Sequence, residues 1–165
     1  MRREIFAEAQ PAPQPQRGGA PVGRMHELPE MELAAIVFLR AWCGDAGERQ
    51  MIRRDLHSVL NPRDALLAEQ RFATLIRLVL AQARSPIMHH HLDCACYGGH
   101  ESAFAQMIAA TAGRDRDEAL LFAATLVVGP AAHEAVLQAE DLAPAFLALA
   151  RAGRAEPVPQ GATRH

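Results

Sequence analysis

Within thirteen consecutive positions, His89 to Glu101, the chain places four of its eight histidines and two of its three cysteines. Imidazole and thiolate are the ligands zinc takes in tetrahedral sites, and they favour it over magnesium or calcium. His91, Cys94, Cys96 and His100 give the spacing H-x2-C-x-C-x3-H, a four-ligand set with zinc as the cofactor. Tyr97-Gly98-Gly99 between the last two would let the backbone turn sharply. Asp93 is of the right type to accept a hydrogen bond from a ligating imidazole. So many ligands in so short a run require a tight loop. A mixed site is geometrically easier, with Cys94, Cys96 and a histidine completed by Cys43 or His57. If the run is extended, His89 and His91 share a side and His90 faces away.

The same residues support rival chemistry. A C-x-C pair can close a strained disulfide, so Cys94 and Cys96 would suit a thiol redox switch. A cysteine hydrolase built from Cys94, His91 and Asp93 has the right groups, but neighbours in sequence are poorly placed to point at one another. The plainest rival is a polar loop in which the cysteines act as small hydrophobes and the histidines are merely exposed. Elsewhere there is no Walker loop, no G-x-G-x-x-G after a strand and no H-E-x-x-H. No substrate pocket or general base is evident, so a binding or regulatory role is expected ahead of an enzyme.

Composition narrows the partners. Net charge is −2 and every basic side chain is Arg, without the basic excess of a dedicated nucleic-acid binder. Charge is nonetheless uneven, because residues 49–84 carry seven Arg against three acids. Arg49, Arg53 and His57 recur every four residues and make a basic stripe. A metal-free module using this region to meet protein or nucleic acid is the alternative reading, with nucleic acid not favoured over a protein partner or a homodimer. Three cysteines do not make a secreted disulfide framework. No signal segment or membrane span is evident either, so a cytoplasmic protein with reduced thiols is expected.

The elements that must hold the loop read as helical throughout. Residues 1–28 form a Pro/Gln-rich arm expected to be disordered, 29–153 a single helical domain and 154–165 a flexible tail. Half the residues are apolar, enough for a core without metal or disulfide staples. A first helix is expected from Pro29 to the break at Gly44, and a second from about Glu48 to Leu60. Asn61-Pro62 then opens the longest helix, to about Ala83, with Asn as cap and Pro in the first turn. Its segment Phe72 to Leu80 is apolar in nearly every direction, as in a central helix. A fourth helix starts near Gly99, a fifth near Asp115, and a last near Pro130 that Pro144 should kink or split. No convincing strand or hairpin signal is present. The expected fold is all-α, a compact bundle of five to seven helices.

Overall fold

A computed structural model describes residues 17–155 of the chain. It is an all-α bundle of six helices: α1 (Glu30–Cys43), α2 (Ala46–Val59), α3 (Pro62–Ala81), α4 (Gly99–Ala112), α5 (Arg116–Leu126) and α6 (Gly129–Ala155). The expected fold class and helix number hold.

The caps explain most of the boundaries. Asn61 Oδ1 accepts the Asp64 N–H and Pro62 opens α3, as its residue types predict. The second helix starts earlier than expected, because Asp45 and Glu48 form a reciprocal capping box across Gly47. Asp115 likewise caps α5 through the Glu118 N–H.

Three expectations are corrected. First, α6 is one continuous helix through Pro144 and is not split into two. The proline ring is on the exposed side, while Leu142, Ala145 and Phe146 around it are buried and keep the helix in place. Second, α3 is not surrounded. It packs chiefly on α2 and α6, reaching α1 and α4 through Phe72, whereas α4 lies against α1, α5 and α6. Leu66, Leu67 and Leu80 of α3 remain exposed. Third, two short strands exist. Strand β1 (Pro21–Arg24) pairs antiparallel with β2 (Cys96–Gly98), in the register Arg24 to Cys96 and Gly23 to Tyr97, with an irregularity beyond Gly23. Residues 17–28, assigned above to the arm, therefore lie along the domain. Residues 1–16 and most of the C-terminal tail fall outside the described residues.

The core gathers the scarce aromatics. Phe38 of α1, Phe72 of α3, Phe104 of α4 and Phe146 of α6 are all buried. Their ring centroids form a chain of contacts from 5.5 to 6.5 Å, in the range of favourable edge and tilted packing. Around them, buried alanines such as Ala35, Ala65, Ala105 and Ala135 let the helices approach closely. The layer formed by α1 and α4 then carries the loop of interest on its edge.

Candidate metal centre

The segment between α3 and α4 is tied down along its length. As the chain leaves α3, Arg84 N–H donates to the Leu126 carbonyl, and Val128 N–H to that of Gln82. Ala83 and Val127 form an isolated antiparallel bridge. Further along, the Met88 N–H donates to His100 Nδ1 at 2.9 Å. A turn closes from Cys94 N–H to the His91 carbonyl, and β2 follows.

Two residues on the helices govern this path. Arg40 lies in the apolar run of α1 and is buried. Its Nε donates to Glu101 Oε1 at 2.6 Å. Its terminal nitrogens donate to the carbonyls of His91 (3.1 Å), Cys94 (2.8 Å) and Cys96 (2.6 Å). One rigid planar group thus fixes three points of the loop, a geometry only a guanidinium supplies. Glu101, in the first turn of α4, has no solvent exposure. Its Oε1 also accepts the His90 N–H, and its Oε2 accepts the Gly98 N–H at 2.7 Å. His90 Nδ1 lies 2.7 Å from the same Oε2.

Burial pushes the Glu101 carboxyl up, but the hydrogen bonds from Arg40, His90 and Gly98 outweigh it and hold it below the usual carboxylate range. An ionised carboxylate only accepts, so His90 Nδ1 carries a proton and donates it to Glu101 Oε2.

His90, Cys94 and Cys96 come together as a group that could hold a metal ion. One ligand atom from each lies within 4.8 Å of the others. The two sulfurs are 3.0 Å apart. The hydrogen bond from Cys96 holds the Cys94 thiol below its usual value, helped by the charge of Arg40, and the same contact pushes Cys96 up.

The predicted ligands separate on this geometry. Cys94 and Cys96 converge. His91 has an exposed side chain and contributes its carbonyl to Arg40. His100 turns its ring away, to the Met88 N–H and against Gly18, where a Cβ would overlap the ring. His57 is exposed in the last turn of α2, and burial pushes the Cys43 thiol up. Neither joins the converging group. Asp93 is exposed, and the carboxylate that orients the imidazole is Glu101. Arg40, His90 and Glu101 are thus the residues that sequence reasoning missed. A lone Arg inside "LAAIVFLRAW" was the available signal, since a charge on a buried face needs a partner.

The basic stripe on α2 is largely engaged within the chain. Arg53 pairs with Glu69, and Arg49 donates to the Trp42 carbonyl. Arg49 and Arg77 each stack at 5.7 Å from the Trp42 ring. Among the described residues, no helix is long and apolar enough to cross a membrane.

No protein-family model matches the chain, and no match was found among curated proteins or solved structures.

Proposed function

We propose that this is a helical binding or regulatory protein whose His90, Cys94 and Cys96 take a zinc-type ion. The convergence of those three side chains carries the reading. Two thiolates and an imidazole are a borderline-soft donor set, suited to zinc. His90 would ligate through Nε2, with Nδ1–H held by Glu101, as ligating histidines are commonly oriented by a carboxylate. A metal there would tie β2 to the segment that leaves α3, and so fix how α4 meets the loop. A reducing compartment such as the cytoplasm would keep the thiols available for it.

The test is the zinc content of untagged protein after reconstitution and exhaustive dialysis. We expect about one equivalent in the wild type, falling at least tenfold in His90→Ala, Cys94→Ser and Cys96→Ser. His91→Ala should keep its zinc, because its ring stands outside the group. Less than about a tenth of an equivalent in the wild type would remove the metal reading.

A further inference from the structure

Two thiols held in contact have a second chemistry besides ligation. The Cys94 and Cys96 sulfurs are 3.0 Å apart, and both residues are only partly buried. The backbone around them is held on each side of Ala95. Arg40 donates to the carbonyls of Cys94 and Cys96, and the Met25 N–H donates to that of Ala95 at 2.9 Å. Three successive carbonyls are therefore fixed, and the pair is presented as a unit.

We infer that Cys94 and Cys96 are also a modification site, closed by a hydroperoxide into an intramolecular disulfide, and that closing expels the metal. In the first step one thiolate attacks the outer peroxide oxygen. The O–O bond breaks, leaving a sulfenic acid and an alcohol (water, when the oxidant is hydrogen peroxide). In the second step the other thiolate attacks the sulfenic sulfur, the S–O bond breaks and water leaves. Two thiols and one hydroperoxide thus give one disulfide, one alcohol and one water. The sulfurs are oxidised by two electrons and the peroxide oxygens are reduced. Bond formation follows from the sulfur geometry alone. Expulsion rests on the metal reading above, since a disulfide no longer offers the thiolates that hold zinc.

The experiment treats the full chain with hydrogen peroxide, metal-free and zinc-loaded in parallel. It reads intact mass, peptide map and released zinc. In the metal-free protein we expect two of the three thiols to be lost, with a mass decrease of about 2 Da. The bond should map to Cys94–Cys96 and form unchanged in Cys43→Ser. In the zinc-loaded protein about one equivalent of zinc should appear per disulfide formed. A mass gain of about 32 Da per cysteine, or a bond to Cys43 or between chains, would overturn the inference. Zinc binding without disulfide closure overturns it while leaving the metal reading intact. Disulfide closure in a chain that takes up no zinc overturns the metal reading and the expulsion step.

Discussion

The Glu101 carboxylate accepts four hydrogen bonds, two on each oxygen, and one of them comes from the buried Arg40. This uses the acceptor capacity of the group, which is why a charge can lie there with no solvent contact. Glu101→Gln should cost about 3–5 kcal/mol in urea unfolding at neutral pH, because Arg40 then stays buried without its counter-charge. The pH dependence follows from the lowered carboxyl. The unfolded chain takes up the proton near the ordinary value of 4.5 and the folded chain only at lower pH. The stabilisation is therefore complete above the unfolded value and is lost as pH falls through the folded one. Wild type should lose stability below about pH 4.5, while Glu101→Gln should be flatter in that window. Parallel slopes for the two proteins would show that Glu101 does not carry the effect.

At the scale of elements, the loop is sandwiched between α4 and the strap formed by β1. Gly98 closely approaches the backbone that leads into the strap. A Cβ on it would lie 2.9 Å from the Gly18 carbonyl oxygen and 3.2 Å from His90 Cε1. The first neighbour is backbone and cannot rotate aside, so Gly98→Ala should push the strap off β2 at a cost of about 1–3 kcal/mol. Amide exchange at Met25, whose N–H donates to the Ala95 carbonyl, should accelerate with it. Unchanged exchange at Met25 would mean that the strap is held from elsewhere. This contact also shows where reading from sequence stopped. Helices α1 to α6 were legible because their apolar spacing and caps are local signals, Asn61-Pro62 most clearly. Strands of three and four residues, rich in Gly, carry too little alternation to be seen. Which histidine faces the thiols was not local either. Arg40, more than fifty positions before them in the chain, sets the path of the loop, and that path presents His90 rather than His91. Nor could sequence show that α6 would carry Pro144 without breaking, since burial of the residues on either side keeps the helix whole.

At the scale of the whole molecule, the order of construction matters. The four-Phe cluster and the alanine-lined helix contacts come from the helices themselves, and the loop adds only the partly buried Ile87, Leu92 and Tyr97 at the core's edge. Arg40 and Glu101 then hold the loop in place using protein groups alone. On the proposed reading the three side chains would converge on a fold already built by its helices, unlike a zinc finger, in which metal binding and folding are one event. A prebuilt site of this kind would load and unload without unfolding its carrier, as the proposed regulation requires. The most direct test is a calorimetric zinc titration of chelator-treated protein at two temperatures. A prebuilt site should take up about one equivalent with a heat-capacity change near zero, because little further apolar surface is buried. No uptake would contradict the metal centre. A negative change on the order of 1 kcal/mol/K would mean that zinc folds the chain, and would contradict the prebuilt site.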